Sequence, residues 1–247
     1  MEITNSNELT FENAMYSWLI FWIVYWVSGV YLTWKNNDAR PVTNLSKVLN
    51  SLGLNMVWTF IGTIIIFYIP IRLVTNFNII IKLVLCNAIT EIWFYHIHCL
   101  MHSSIFYKRF HKTHHEFNSE RKPYALTAMY CSGYEAVVCN LVAGGLGPIM
   151  LTIPAPYLYI WFGLVAFNST FTHSGFKWGW VIDGSHDLHH SSSSTCNFGT
   201  LTIFDRIYGT YKDPSGISET ISESVIETPG IAPKEILPEI VLENKEM

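Results

Sequence analysis

Histidine spacing is the feature of this sequence that most directly indicates chemistry. Eight of the ten histidines fall into three short groups, called the first, second and third boxes: His98 and His102, then His111, His114 and His115, and last His186, His189 and His190. Helical side chains three or four residues apart lie on one face, where imidazoles can share a metal ion. A single such pair also arises by chance or on a surface helix. Three boxes together predict metal binding, with about enough ligands for two ions.

The remaining motif evidence argues against other cofactor chemistries. The five cysteines contain no CxxC pair, which disfavours both a structural zinc finger and a disulfide framework, so we expect reduced thiols. Neither GxGxxG nor the haem motif CxxCH occurs, so no cofactor-binding residue is predicted beyond the metal ligands, and a redox reaction at the metal would take its electrons from a partner. The net charge of −4 gives no indication of nucleic-acid binding.

The composition and the apolar runs predict a membrane protein. Hydrophobic residues make up 50% of the sequence and charged residues only 14%. Residues 16–34 carry no charge, and 52–71 and 79–101 are also long enough to span a bilayer. The apolar stretch 136–167 is too long for one span, so we expect two short helices joined by a turn near Pro154. The acidic N-terminal residues lack the basic region of a cleavable signal peptide, so the first run is expected to remain as an anchor.

The third apolar run must also carry polar side chains to the first box. Glu91, Tyr95, His98 and His102 follow a helical spacing that places them in one stripe. Ionisable groups at such depth are costly unless they face protein, water or metal. With a lumenal N-terminus, this helix and the later hairpin deliver all three boxes to the cytosolic side. Basic residues around the second box agree with the positive-inside rule, although the loop at 72–82 agrees less well.

Several segments together resemble the fatty acid hydroxylase/sterol desaturase superfamily. They are EIWFYHIHCLMHSSIFYKRFHKTHHE at 91–116, HSG at 173–175, SHDLHH at 185–190, CNFG at 196–199 and FDRIYGTY at 204–211. The order and spacing of every box match across about residues 85–211. Within the superfamily the sequence most resembles the sterol branch, meaning methylsterol monooxygenases and cholesterol 25-hydroxylase-like proteins.

Some positions depart from the pattern of the superfamily. Many members have Arg after the first box histidine and a second His after HxxxH, where this protein has Cys99 and Ser103. A position that is commonly Asp is Glu91, which keeps a carboxylate. These changes remove no matched ligand, but they weaken assignment to one subfamily.

The resemblance implies a non-haem di-iron oxygenase of the endoplasmic reticulum membrane, with its histidine boxes facing the cytosol. Its metal ligands would be the nine histidines at the matched positions: His98, His102, His111, His114, His115, His173, His186, His189 and His190. His173 enters this set only through the HSG motif, and His96 has no counterpart and is expected to pack or to support a ligand. The carboxylates of Glu91 and Asp187 could orient imidazoles by accepting from the ring N–H groups that do not face the metal. Glu116 could do the same, or it could equally be a solvent-facing charge.

The expected fold is an all-α integral membrane protein with about four transmembrane helices and a cytosolic helical cap that holds a histidine-rich dimetal site. Residues 1–84 would form an N-terminal membrane anchor with two transmembrane helices. Residues 85–211 would form the catalytic domain, including the hairpin at about 136–167, and 212–247 a mobile acidic tail.

The implied activity is hydroxylation of an unactivated C–H bond of a sterol, either at a C-4 methyl group or at carbon 25 of the sterol tail. The reaction would use O₂ and NAD(P)H, with electrons delivered by cytochrome b5 or its reductase. Aromatic residues are candidates for the wall of a lipid channel: Trp93, Phe94, Tyr124, Tyr130, Trp161, Phe167 and Trp178. The open alternatives are a sterol desaturase, a fatty acid or alcohol hydroxylase, a family member that keeps only the scaffold, and a non-catalytic membrane metal-binding protein.

Overall fold

The computed structural model describes residues 10–69, 71–73, 75–179, 182–191 and 195–215. Regular secondary structure in these ranges is helical, apart from one isolated antiparallel bridge between Trp178 and Ile182. The residues up to Lys212 belong to one compact unit. The predicted acidic tail at 212–247 lies outside the described residues from position 216 onwards.

Within the described ranges, four helices are long and apolar enough to cross a membrane. They are α1 (Phe11–Lys35), α2 (Leu45–Phe67), α3 (Ile79–Met101) and the helical segment Gly133–Leu151. The last consists of α5 (Gly133–Glu135), a π-helix (Ala136–Leu141) and α6 (Val142–Leu151). The expected all-α fold with four membrane-length helices is confirmed, and the protein is a multi-pass membrane protein.

The helix boundaries follow local capping and burial more than hydropathy. Helix α3 has the predicted bounds, and the side chain of Asn78 caps its start by accepting a hydrogen bond from the Ile81 amide at 3.0 Å. Helix α2 begins at Leu45, seven residues before the predicted apolar run at 52, because its first turns are amphipathic and bury Val48 against the core.

Two helical segments joined by a turn occupy the region of the predicted hairpin, and the second segment is longer than expected. Segment Gly133–Leu151 is followed by a turn in which Thr152 adopts a left-handed conformation with φ of 49°, and Pro154 precedes α7 (Ala155–His173). Proline suits the start of a helix because it lacks an N–H group, and the first N–H groups of a helix have no acceptor within the helix. Helix α7 runs six residues beyond the predicted end at 167, so that His173 becomes its last residue.

Close packing of small and polar residues holds these helices together. Helix α7 lies along α1, and α6 lies along α3. The hydroxyl groups of Ser28 and Thr170 join α1 to α7 at 2.8 Å. A Cβ atom on Gly147 would lie 2.9 Å from the Cα atom of Cys86, so glycine allows α6 to approach the backbone of α3.

Short elements at one end of the long helices carry most of the boxes. They are α4 (Ser104–Phe106), a π-helix (Tyr107–His111), 3₁₀ turns (His114–Glu116 and Ala125–Thr127), α8 (Ser185–Ser191) and α9 (Ile203–Tyr208). The irregular backbone of this region lets histidines from distant parts of the sequence converge.

Candidate metal centre

Nine histidines converge from four parts of the fold. Helix α3 ends with the first box, the π-helix and the following 3₁₀ turn carry the second, α7 ends at His173, and α8 carries the third. The remaining histidine, His96, lies apart and exposed, with its Nδ1 against the Ile92 carbonyl oxygen at 2.7 Å and its ring beside Phe204 and Tyr208. His96 therefore lies outside the group of nine rings.

The nine imidazoles form two separate clusters, in each of which the candidate ligand atoms lie within 4.8 Å of one another. The five-histidine cluster contains His98, His102, His111, His115 and His189. The four-histidine cluster contains His114, His173, His186 and His190. The second and third boxes each contribute to both clusters, so neither cluster can form from one segment of the sequence.

Ring nitrogens point towards the middle of the five-histidine cluster. The Nε2 atom of His111 lies 3.2 Å from that of His98, 3.0 Å from that of His102 and 3.1 Å from that of His115. The Nε2 atoms of His102 and His189 are 3.2 Å apart. Such convergence of imidazole nitrogens suits a shared divalent cation, which accepts their lone pairs.

The opposite ring nitrogens are held by main-chain carbonyl groups. In the five-histidine cluster the Nδ1 atom of His98 lies 2.7 Å from the oxygen of Phe198, and that of His189 lies 2.7 Å from the oxygen of Cys196. Since a carbonyl can only accept, each Nδ1 carries the proton and each Nε2 carries a free lone pair. This is the tautomer that a metal ligand needs.

The four-histidine cluster is oriented in the same way. The Nδ1 atoms of His190, His114 and His173 contact the carbonyl oxygens of Phe117 at 2.9 Å, Tyr130 at 3.3 Å and Ser169 at 3.0 Å. The Nε2 atom of His190 is buried and has no hydrogen-bond partner among the described residues. A buried lone pair of this kind is unfavourable unless a cation or donor meets it. The residues therefore fit a metal ion at each cluster.

Burial keeps these rings neutral. It lowers the pKa of His114 from 6.5 to about 4 and that of His102 to about 2, and it lowers the pKa values of His189 and His190 as well. The neighbouring imidazoles add to the effect, because two positive charges at such short distance repel. Neutral imidazole is the form that binds metal, so the site is ready for a cation at neutral pH.

A loop held by two buried carboxylates supplies the carbonyls for His98 and His189. Glu91 accepts hydrogen bonds from the amides of Thr200, Leu201 and Ile203 at 2.8 to 3.1 Å. Asp205 accepts from the amides of Phe198 and Gly199, both at 2.8 Å. Among the described residues, Glu91 has no hydrogen bond to an imidazole, so its orienting effect passes through this loop and is not the direct contact expected from the sequence.

The other two acids that were predicted to support the rings, Asp187 and Glu116, also contact residues next to the imidazoles. Asp187 forms a two-pronged ion pair with Arg40, at 3.0 and 2.7 Å, and within the described ranges it has no hydrogen bond to an imidazole. Arg40 also donates to the carbonyl oxygen of His173 at 3.2 Å. Glu116 accepts from Tyr130, whose carbonyl faces His114, and pairs with Lys47 at 2.7 Å.

An apolar cavity of about 370 Å³ lies among α1, α3, the π-helix at 136–141, α6 and α7. Two of its lining residues are neighbours of cluster histidines. Phe94 lines the cavity and packs against the ring of His98 at 5.1 Å between centroids, and Ser169 lines it while its carbonyl faces His173. An apolar ligand in this space would therefore be separated from the ring of His98 by the ring of Phe94.

Four of the seven aromatic residues predicted as channel wall line this cavity, namely Phe94, Trp161, Phe167 and Trp178. The other three were predicted wrongly. Tyr124 and Tyr130 belong to the buried core, and the indole N–H of Trp93 donates to the carbonyl of Val138 at 2.8 Å. Aromatic type and spacing do not distinguish a cavity wall from a core.

Comparison with known proteins gives the family. The family model described as fatty acid hydroxylase matches residues 83–210, which is more than half of the protein. The chain belongs to the fatty acid hydroxylase family. No solved structure matches it significantly.

Its relatives carry names of more than one activity. Fatty acid hydroxylase domain-containing protein 2 of Macaca fascicularis is 30% identical over 132 residues, covering 53% of this protein and 38% of that relative. Methylsterol monooxygenase 1 of Rattus norvegicus is 28% identical over 134 residues, covering 51% of this protein and 44% of that relative. Fatty acid hydroxylase ahd1 of Mycosarcoma maydis is 29% identical over 147 residues, covering 59% and 37%. The match thus spans less than half the length of these relatives.

Three residues of this family member that support the clusters were missed by sequence reasoning. Asp205 stands in a segment used for the resemblance but received no role, and Arg40 lies in a loop far from every box. Glu135 lies directly before the apolar hairpin run, with a carboxylate oxygen 3.0 Å from Nδ1 of His111. The signal that could have found Glu135 is an acid at the edge of an apolar segment, which is costly without a partner.

Proposed function

We propose that this protein is a membrane-bound, O₂-dependent monooxygenase that binds two iron ions in its histidine clusters and hydroxylates an unactivated C–H bond of a sterol. The observation that carries the proposal is an apolar cavity beside the five-histidine cluster, where the ring of Phe94 lines the cavity and packs against His98. Membership of the fatty acid hydroxylase family supports iron as the metal. The sterol is supported by the methylsterol monooxygenase named among the relatives.

The iron, when bound, supplies the chemistry that places one oxygen atom of O₂ in a C–H bond while the other leaves as water, with consumption of two electrons and two protons. The protein itself contributes orientation and exclusion of water. Carbonyl-bound Nδ1 atoms fix the ring planes of His98 and His190, so the ligand set needs little rearrangement when iron enters. The cavity walls, dominated by apolar side chains, favour a hydrocarbon over water.

Electrons would come from NAD(P)H through a partner, for which we propose cytochrome b5 or its reductase. The sequence contains no motif for a flavin, haem or nicotinamide cofactor of its own. Exposed basic side chains at Lys108, Arg109 and Lys112 lie on the segment that carries the second box. They would attract an acidic electron donor, and by the positive-inside rule they favour a cytosolic position for the clusters in the endoplasmic reticulum membrane.

The direct test is turnover by purified protein in lipid nanodiscs, reconstituted with ferrous iron, cytochrome b5, its reductase and NAD(P)H. We expect conversion of a 4-methylsterol or of cholesterol to a product that contains one ¹⁸O atom when the gas phase is ¹⁸O₂. His114→Ala should abolish turnover and lower iron content. His96→Ala changes a histidine outside both clusters and should leave both unchanged.

A panel of substrates distinguishes the proposed sterol hydroxylation from the alternative activities. Hydroxylation of fatty acids or fatty alcohols with no sterol product would favour the hydroxylase activity in the name of the Mycosarcoma maydis relative. Loss of two hydrogens from a sterol ring without incorporation of ¹⁸O would indicate a desaturase. Iron bound at both clusters without oxidation of any lipid would contradict the enzyme assignment and leave a metal-binding protein.

A further inference from the structure

We propose that Glu135 is a positioning residue for His111, and that through it the five-histidine cluster takes up the first of two metal ions. This inference rests on the metal binding in the proposed function, but not on the identity of the lipid. Neither the boxes nor the family resemblance assigns a role to Glu135.

The contact between Glu135 and His111 is isolated from water and from other polar groups. Glu135 is 3% exposed and His111 is 1% exposed. The Oε2 atom of Glu135 lies 3.0 Å from Nδ1 of His111. Both atoms are buried, and neither has a formed hydrogen bond among the described residues, so they face each other at a distance from which one can form. Each is therefore the one polar group that can satisfy the other in this part of the protein.

His111 is the hub of the five-histidine cluster. Its Nε2 atom lies within 3.2 Å of the Nε2 atoms of His98, His102 and His115. A carboxylate that accepts from Nδ1–H leaves this Nε2 lone pair free to face the cluster and makes it a better donor to a cation. A cation bound at Nε2 would in turn favour the ionised form of Glu135 on the far side of the ring.

The other cluster lacks an equivalent acid among the defined Nδ1 contacts. In the four-histidine cluster the Nδ1 atoms of His114, His173 and His190 all contact neutral main-chain carbonyls. The nearest ion pair there, Arg40 with Asp187, carries no net charge. Among these Nδ1 contacts, the clusters therefore differ by one buried carboxyl group, and a divalent cation should bind more tightly beside it.

The local backbone is built around this contact. His111 is the last residue of the π-helix Tyr107–His111, and Glu135 directly precedes the π-helix Ala136–Leu141. The amide of Glu135 is itself held by the side chain of Ser132 at 3.2 Å. Wide π-turns are uncommon and often occur at functional sites, where they shift a side chain out of the regular helical register. Here one π-helix ends at His111 and the other begins directly after Glu135.

The test is a titration of metal-free full-length protein in nanodiscs with Co²⁺, followed by visible absorption and by metal content. The wild type should bind two ions in two resolved steps. His190→Ala should remove the weaker step, which assigns that step to the four-histidine cluster. Glu135→Leu should weaken the tighter step by about 10- to 100-fold and change its absorption bands.

Two further variants separate positioning from folding and from charge. Glu135→Gln keeps an oxygen that can accept from His111 but removes the charge, so it should restore the wild-type bands while the tighter step stays weaker than in the wild type. Glu120→Leu removes one exposed acid and should leave both steps unchanged. Thermal unfolding of each metal-free variant shows whether it is folded before titration.

Three outcomes would overturn the inference. Glu135→Leu protein that is folded and binds both ions as the wild type does would remove the role of Glu135. Weakening of the same step that His190→Ala removes would place the effect in the wrong cluster. Wild-type protein with a single step for two equivalent ions would contradict the loading order. Failure of wild-type protein to bind any metal would instead contradict the proposed function itself.

Discussion

His98 and Phe198 are 100 residues apart in the sequence, and the ring Nδ1 of His98 donates to the main-chain oxygen of Phe198 at 2.7 Å. Two turns earlier on the same helix, Glu91 binds the amides of Thr200 and Leu201 in the same loop. Helix α3 thus holds the loop through Glu91, and the loop in turn holds the candidate metal ligand His98 of the same helix. Any change that moves the loop should therefore be felt at the five-histidine cluster.

Gly199→Ala should disturb this loop specifically. A Cβ atom at Gly199 would lie 2.5 Å from Oε1 of Glu91 and 3.0 Å from Oδ2 of Asp205, and both carboxylates are already fixed by buried amides. We expect loss of about 1–3 kcal/mol of stability from the strained packing, together with lower metal occupancy of the five-histidine cluster. Denaturant unfolding and metal content measure the two effects.

The matched control for this change is Gly53→Ala. A Cβ atom at Gly53 meets nothing within 4 Å, and the residue lies inside α2. Alanine there should stabilise the helix by about 0.5–1 kcal/mol and leave metal content unchanged. Equal behaviour of the two variants would show that the loop does not position the ligands.

Arg40→Lys should affect the four-histidine cluster. Arg40 joins Asp187 on α8 to the carbonyl of His173 at the end of α7, so its planar group holds two ligand-bearing elements together. Lysine cannot reproduce the two-pronged contact. We expect about half of the total metal to be lost from the protein, with the five-histidine cluster retained, as measured by metal content and by Co²⁺ absorption.

Lys47→Met provides the corresponding control for an ion pair. Lys47 pairs with Glu116 at 2.7 Å, but its side chain is 61% exposed. Loss of such a surface pair should change stability by less than about 1 kcal/mol and leave metal content unchanged. Full metal content in Arg40→Lys protein would refute the role assigned to Arg40.

The metal-free protein should lose stability as the pH falls below about 6.5. Burial lowers the pKa of His114 in the folded state to about 4 from its ordinary value of 6.5, and it also lowers that of His190. Between these values the unfolded protein binds protons that the folded protein does not, so unfolding becomes easier as the pH falls. The free energy of unfolding is therefore not reduced by these histidines above pH 6.5, and it falls as the pH drops from 6.5 towards their folded-state pKa values.

Unfolding in urea at pH 7, 6 and 5 measures this effect on metal-free protein. His190→Leu should reduce the slope of stability against pH, because one buried titrating ring is removed. His96→Ala should leave the slope unchanged, since His96 lies outside both clusters. A slope that is the same in all three proteins would exclude the cluster histidines as its source.

Gly145→Leu should reduce turnover by filling the cavity. Gly145 lines the cavity, and a Cβ atom there would meet no atom closer than 4.0 Å, so a longer side chain has room to extend. We expect at least about tenfold lower kcat/KM for the sterol substrate, because lost or misplaced contacts weaken binding in the transition state. Gly145→Ala fits the space and should remain close to wild type. Metal content should be unchanged in both variants, which separates substrate binding from damage to the clusters.

Sequence alone determined the features that depend on local spacing and composition. The bounds of α3, the turn before Ala155 and the exclusion of His96 from the boxes all follow from apolar runs, proline placement and helical intervals. These patterns are readable because backbone hydrogen bonding and burial act over a few neighbouring residues. The nine histidines expected as ligands also stand together in the structure, although their binding of iron stays a prediction.

Only the tertiary structure decided how those histidines are shared. His114 belongs to the four-histidine cluster, whereas its box neighbours His111 and His115 belong to the five-histidine cluster. His189 belongs to the five-histidine cluster, whereas His186 and His190 belong to the other. The second box lies across the end of a π-helix and a 3₁₀ turn, where the regular helical interval no longer predicts which rings share a face.

The supporting groups depended on the tertiary structure in the same way. Glu91 and Asp205 act through a loop, Arg40 reaches α8 across 147 positions of sequence, and Glu135 meets His111 through the packing of two irregular helices. Such contacts arise from long-range packing of buried groups that must find partners away from water. No local pattern of residues specifies them, and for that reason spacing indicated the ligands but not the surroundings that orient them.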